Sequence, residues 1–418
     1  MEKLQPKLAS SLRDYSGAKL TRDVLAGIIV AIIALPLSIA LAIASGVGPE
    51  EGLYTAIFAG FVISALGGSR VQIAGPTAAF AAIVAGIVAR DGIAGLAIAT
   101  ILAGIILVLM GVLRLGSLIR FIPRSITVGF TGGIAVTIAI GQVKDFLGLT
   151  FSTSPIETVE KVEAVVSSIG TWNPMALLIG LLALALLIYL PRVRALSKVP
   201  PSLIAIIVCA AIVAFAKLSV NTIGDLYTVS AAFPRPALPA FSLDMVLAAL
   251  PNAFTIAILA AVESLLSCVV ADGMIGDKHN SNMELVAQGA GNIASALFGG
   301  IPATGAIART AANIKNGAES PVSGMVHALV LLLVLLVAMP AASLIPMPVI
   351  AAILFVVAYN MSEWRAFVGI CREKKVHDIT ILVLTFVLTV VKDLVVAIAV
   401  GLVLHWLWVF VEKKFASK

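Results

Sequence analysis

Apolar runs dominate the chain, and each is closed by a glycine, a proline or a small cluster of charges. By hydropathy and breakers they fall near 24–45, 52–66, 76–89, 93–113, 125–143, 174–190 and 199–216, then 245–271, 283–298, 304–314, 321–339, 343–360, 379–391 and 394–411. A helix needs about 20 apolar residues to cross a bilayer, so these runs read as membrane segments. There are fourteen, seven on either side of a long polar loop at 217–244. An odd number of segments turns the second half upside down relative to the first, as an inverted repeat requires. The pattern predicts an all-α polytopic membrane protein with 14 transmembrane segments in a 7+7 inverted repeat.

The third run of each half breaks the pattern. GGSRVQIAGPTAAF at 67–80 and GGIPATGAIARTAANIKNG at 299–317 each open with paired glycines, carry a proline, and become helix-compatible only afterwards. This predicts a short extended stretch followed by a half-helix that begins inside the membrane, as the third and the tenth segments. Non-helical backbone at that depth is tolerated only under protein or against a watery cavity. A helix start there offers free N–H groups and the positive end of its dipole, which suits an anion. In Gly75-Pro76-Thr77 the proline sits in a first helical turn, where its missing N–H costs nothing, and Thr77 either caps the helix or faces the cavity. Ile301-Pro302-Ala303-Thr304-Gly305 serves the same purpose in the second half. One such break alone reads as a packing kink. Two in matched positions point to a transport site.

Composition agrees with the membrane reading: 60% of residues are hydrophobic and 12% charged, against about 25% charged in soluble domains. The polar opening MEKLQPKLASSLRDYSGAKLTRD predicts no cleavable signal peptide. A net charge of +6 would fit nucleic acid, but the cations collect in short loops, so no nucleic-acid partner is expected. With the N-terminus cytoplasmic, most cations fall inside, from Lys3 and Lys7 through Arg70, Arg120, Arg194 and Lys198 to Lys374, Lys375, Lys413, Lys414 and Lys418. Arg90, Lys144, Lys161, Lys217, Arg235 and Lys392 fall outside. The positive-inside rule then places both termini on the cytoplasmic side of a bacterial-type inner membrane. Outside, 152–170 reads as an amphipathic helix, and 217–241 ends in the proline-rich link FPRPALPAF. Cys209, Cys268 and Cys371 are far apart in or beside apolar runs, and the four histidines are scattered. No disulfide framework, metal site or cofactor follows.

Few charges lie inside the runs. Arg309 costs at least about 2.5–3.5 kcal/mol there on insertion scales. It either lends positive potential to an anion at the adjacent helix start or forms a structural ion pair, for instance with Glu263. Glu263, in AILAAVESLLSCVVA, either takes and releases a proton during transport or is a permanently neutral or paired structural group. Ser267, four residues on, shares its helix face. Pro36 reads as a kink in the first helix, with Ser38 facing a cavity. Gln72 and Asn292 read as interhelical hydrogen-bonders, and Asp272, Asp277 and Lys278 as a solvated loop. No HExxH or nucleophile–base pair appears, so the chain does not read as an enzyme.

At these residues the chain resembles the sulfate-permease (SulP) family of anion transporters over nearly its whole length. ALPLSIALAIASGVGPEEGLY at 34–54 is similar to the family's first-helix signature, GGSRVQIAGPTAAF to its third segment and ESLLSCVVADG at 263–273 to its eighth. The stretch at 281–324 is the most specific match. The resemblance implies a core of segments one to four and eight to eleven, at 24–122 and 244–340. It implies a gate of segments five to seven and twelve to fourteen, at 123–243 and 341–412, which usually dimerises. Residues 1–23 and 413–418 remain as cytoplasmic ends. The family's cytoplasmic STAS domain would follow the last span, and the expectation here is a membrane domain without it. By resemblance the anion lies between the starts of the third and tenth helices. Ala74, Gly75, Pro76, Thr77 and Ala78 would hold it on one side, and Gly305, Ala306, Ile307, Ala308 and Arg309 on the other. Glu263 stands where some members use an aspartate with sodium. Members with glutamate there look proton-coupled, and Ile307 replaces a threonine of a sodium-dependent bicarbonate-type member.

The expectation is secondary active transport of a small anion (sulfate, bicarbonate or a dicarboxylate) by proton symport, with Glu263 and Ser267 in the coupling and the core sliding like an elevator against the gate. Sodium is the weaker coupling ion. The rivals are a nucleobase permease of the same fold and a passive anion channel.

Overall fold

The computed structural model of the chain describes residues 4–117, 123–193, 199–373, 375–392 and 394–416. The cations Lys3, Arg120, Arg194, Lys198, Lys374 and Lys418 lie outside the described residues. In chain order the first half contains α1 (Lys7–Ser11), α2 (Gly17–Ala44), α3 (Pro49–Tyr54), a π turn (Thr55–Ala59) leading into α4 (Gly60–Leu66), and strand β1 (Ala74–Gly75). It continues with α5 (Ala78–Val112), α6 (Arg124–Leu147), α7 (Thr158–Ser168), α8 (Pro174–Tyr189) and α9 (Pro201–Phe215). The second half contains α10 (Ile223–Leu226), α11 (Leu243–Ile275), α12 (Ser281–Leu297), strand β2 (Thr304–Gly305) and α13 (Ile307–Lys315). It ends with α14 (Val322–Ala342), α15 (Met347–Met361), α16 (Trp364–Arg372), α17 (Val376–Val391) and α18 (Leu394–Ala416).

Among the described residues, seven helical stretches are long and apolar enough to cross a membrane, and shorter apolar helices stand beside them. Apolar side chains occupy both faces of these helices. On α14, Ala328, Leu331, Leu335 and Met339 are buried, while Leu329, Leu333 and Val337 are exposed. A soluble helix would place charges on its open face; a lipid-facing one needs the pattern seen here. The protein is therefore an all-α, multi-pass membrane protein apart from two short strands.

Of the boundaries that differ from the sequence reading, two bear on the half-helices. The third and fourth runs are joined in α5, and the chain turns at Gly92 with φ 70° and ψ −177°, a conformation open essentially to glycine alone. The tenth run starts as a helix only at Ile307, because Thr304 and Gly305 are drawn into β2. Arg309 therefore lies in the first turn of α13.

Packing joins distant parts of the chain. α5 lies against α11 and α12, α2 and α4 against α14, and α13 against α11. A second set joins α6 to α15 and α17, and α8 to α9 and α15. The ends of α2 and α11 are tied by carboxylates. Asp23, fully buried, accepts from the Tyr15 hydroxyl (2.7 Å), from Glu319 N (2.7 Å) and from Ser320. Asp277 pairs with Lys7 Nζ (3.1 Å) and Arg70 Nε (3.0 Å), so the loop read as solvated is anchored. Burial alone would raise the Asp277 carboxyl, but the Lys278 backbone, Lys7 and Arg70 outweigh it and hold it below the usual carboxylate range.

A depressed carboxyl stabilises the fold above its unfolded pKa of about 3.9, and that contribution is lost as pH falls through the folded value. Asp277→Asn should therefore lower stability at pH 7 by roughly 1 kcal/mol. Thermal unfolding of the detergent-solubilised protein should show the gap from the unsubstituted protein closing at acid pH. A gap that stays constant with pH would show that the ion cluster contributes nothing.

Candidate functional site

Glycine and proline keep 67–77 and 299–306 out of the helices, and the two stretches meet. β1 and β2 pair antiparallel, with Ala74 opposite Gly305 and Gly75 opposite Thr304. α5 then starts with Thr77 as N-cap residue (φ −126°, ψ 157°), and α13 with Ala306 (φ −99°, ψ 105°). No side chain caps either start, so first-turn N–H groups are left for a ligand. The Thr77 hydroxyl is used elsewhere: it donates to Glu263 Oε2 at 3.0 Å.

Protein groups satisfy the extended backbone, as membrane depth demands. Ala306 N donates to Ile73 O (2.8 Å) and Ile73 N to Thr310 Oγ1 (3.0 Å). Asn292 clamps Ala303 in both directions, each bond 2.9 Å. Gly305 N donates to Ser264 Oγ (3.1 Å), whose hydroxyl lies 2.7 Å from Thr304 Oγ1. Thr55 Oγ1, in the π turn, accepts from Ile301 N at 2.8 Å. Glu284 accepts from Gly68 N (2.9 Å), Gln72 Nε2 (3.0 Å) and Gln288 Nε2 (2.8 Å). Gln72 and Asn292 are thus hydrogen-bonders between segments. A Cβ on Gly305 would meet Gln72 Nε2 and the Ser264 backbone, which fixes glycine there.

Arg309 is 3% exposed. Its Nη2 donates to Pro76 O at 3.0 Å, so the guanidinium of one half-helix is held under the start of the other. Nη1 has no partner among the described residues, and a Cβ on Gly75 would come within 2.6 Å of it. Arg309 and Glu263 form no ion pair with each other, and no carboxylate pairs with Arg309 among the described residues. The structural ion pair held open by the sequence is not formed.

Ala74, Gly75, Pro76, Ala78, Gly305 and Ala306 are buried at the crossing, Thr77 and Glu263 are half-buried, and Ile307 and Ala308 are exposed. The Ser267 hydroxyl donates to Thr310 Oγ1 at 3.3 Å. Ser38, expected to face a cavity, is fully buried with no partner for its Oγ among the described residues. Sequence reasoning missed Glu284, Ser264, Thr310 and Asn313. Glu284, Gln288, Asn292 and Ser295 are all fully buried and form a polar stripe at helical spacing on α12. That stripe was the available signal.

Residues 20–385 match the sulfate permease family. The chain belongs to the sulfate permease family. Its relatives include YvdB of Bacillus subtilis, named, provisionally, a sulfate transporter, which is 45% identical over 404 residues (96% of this chain, 76% of YvdB). The bicarbonate transporter BicA of Synechocystis is 34% identical over 392 residues (91% and 68%). The solved transmembrane domain of a cyanobacterial BicA superposes with a TM-score of 0.82 at 31% identity, covering 92% of this chain and 98% of that one. The SLC26A9 structure shares the fold, with a TM-score of 0.88 at 22% identity over 98% of this chain and 68% of that one. These relatives of the sulfate permease family are named as transporters, not enzymes, and the resemblance read from the motifs holds.

Proposed function

We propose that the chain is a secondary active transporter of small anions, driven by proton symport. One observation carries this reading. Two uncapped helix starts converge on a crossing of extended strands, beside a buried arginine that has no carboxylate partner among the described residues. Such a place has positive potential and unspent donors, which suit an anion. The names of the relatives support sulfate or bicarbonate; a dicarboxylate such as fumarate or succinate meets the same donors. Glu263, the carboxylate at the site, sits against the cap residue Thr77 and serves as the proton carrier. Sodium has less to bind, since Ile307 brings no oxygen to the opening.

In this reading α2 to α5 and α11 to α14 form the core, which slides against a gate of α6, α8, α9, α15, α17 and α18, and the gate carries the homodimer contact. The packing sets described above support that division. Both termini face the cytoplasm, as the distribution of cations favours.

The test is a panel of radiolabelled sulfate, bicarbonate, fumarate and succinate in proteoliposomes, with and without an inward proton gradient. One of them should accumulate above equilibrium only with the gradient. Equilibration without accumulation would favour a passive channel, and uptake competed by uracil or xanthine would favour a nucleobase permease.

A further inference from the structure

A cavity of about 630 Å³ lies between the two packing sets on the face that the proposed orientation places outside. Its inner end is lined by Ala79 and Ala82, on the turns of α5 just after Thr77, and its mouth by Arg90, Lys161 and Lys392. α5 and α11 form one wall, and Thr137 of α6 belongs to the other. A second cavity of about 360 Å³ adjoins it, shares Lys161 and adds Lys144. Four of the outward cations named from the sequence therefore collect around one opening, although the positive-inside rule makes cations scarce on this face.

The carboxylates of the mouth offset part of this charge, but their oxygens are engaged by other donors and form no ion pair with these cations among the described residues. Glu157 and Glu160 form the capping box of α7, each side chain accepting from backbone N–H at the helix start. Glu160 Oε2 accepts from Ile156 N (2.9 Å) and from Glu157 N (3.2 Å). Asp91 Oδ2 accepts from Asn252 Nδ2 at 3.3 Å. Arg90 Nε donates to Gly86 O, and neither Arg90 nor Lys161 has an ion pair among the described residues. Burial pulls the Lys161 ammonium below the usual lysine range, with the Glu160 charge opposing it. An unpaired, partly desolvated ammonium gains from an arriving anion.

We propose that this cleft is a second anion site, an outer vestibule in which Arg90, Lys161 and Lys392 capture the small anion before it descends along α5 to Thr77 and Arg309. The inference rests on the transport function and orientation proposed above. Three cations against the two carboxylates Glu157 and Glu160 leave the lining net positive, and a net positive cleft with low-dielectric walls focuses the field and raises capture rates by about tenfold or more, in a salt-dependent way.

The test uses the full chain in proteoliposomes sorted by orientation, with the anion that the unsubstituted protein accumulates. The triple variant Arg90→Gln, Lys161→Gln, Lys392→Gln should raise KM for anion supplied at the outer face by roughly tenfold. It should also flatten the dependence of uptake on ionic strength, leaving the maximal rate and the KM from the inner face in place. Lys161→Arg, which keeps the charge, should behave like the unsubstituted protein. An unchanged outer KM and salt dependence in a triple variant that still transports would overturn the vestibule while leaving the transport reading intact. An effect of equal size from both faces would overturn it too, as a general surface-charge effect. Failure of the unsubstituted protein to move any anion would remove the transport reading and the vestibule with it.

Discussion

Glu263→Gln should abolish anion accumulation driven by an inward proton gradient, while anion exchange at equal pH on both sides continues. The Glu263 carboxylate accepts the Thr77 hydroxyl at 3.0 Å. A glutamine oxygen can accept the same bond in the same space, so the N-cap residue of α5 should stay in place. What the amide cannot do is take up and release a proton. Coupling would be lost and passage kept. The measurement is uptake of the transported anion into proteoliposomes, with and without a pH gradient, for both proteins at matched reconstitution. Gradient-driven accumulation that survives the substitution would take the proton away from Glu263. Thr77→Val is the companion variant: it removes the donor and leaves the carboxyl, so it should weaken coupling without abolishing it.

The chemistry at this crossing was partly legible in the sequence, and the reason is locality. Gly75-Pro76 and Ile301-Pro302 punctuate the chain by rules that act on a few neighbouring residues, so the extended stretches and the half-helix starts showed in the pattern. Thr77, Glu263 and Arg309 stood out because a polar side chain inside an apolar run is costly. Glu284 did not, because it occupies the first turn of α12, where an acid is ordinarily a solvated partner of the helix dipole. Only its alignment with Gln288, Asn292 and Ser295 marks it as buried. Ser267 shows what spacing leaves out: four residues from Glu263 on the same helix, it donates its hydroxyl to Thr310, from another helix. The pairing of Ala74 with Gly305 and the bond from Arg309 to Pro76 O join residues far apart in the chain, and no local pattern carries such pairings.

The same contrast explains why the site is held rigidly. Several backbone groups of the two extended stretches are met by buried side chains from α11, α12 and α13: Ser264, Asn292 and Thr310 are all at most 1% exposed. The frame is thus tied by protein hydrogen bonds, and unspent donor capacity at the crossing is concentrated at the helix starts and at Arg309 Nη1. A ligand completes the polar contacts there instead of competing with existing ones.

That concentration sets the size of the second effect. Arg309→Ala should weaken anion binding by roughly ten- to a hundredfold, since a hydrogen bond to a charged group contributes about 1.5–3 kcal/mol and each 1.4 kcal/mol is about tenfold in affinity. Calorimetric titration of the purified protein in detergent with the transported anion gives the number directly. Arg309→Lys keeps the charge but loses the fork that bonds Pro76 O while leaving Nη1 free, so it should fall between the two. Because alanine also opens a hole beneath α5, a second variant separates charge from packing. Gly75→Ala leaves the guanidinium in the protein but presses a methyl group into the space beside Nη1, and it too should weaken binding. A folded Arg309→Ala protein that binds the anion as tightly as the unsubstituted one would leave the helix starts as the whole site, with the arginine reduced to a brace for Pro76.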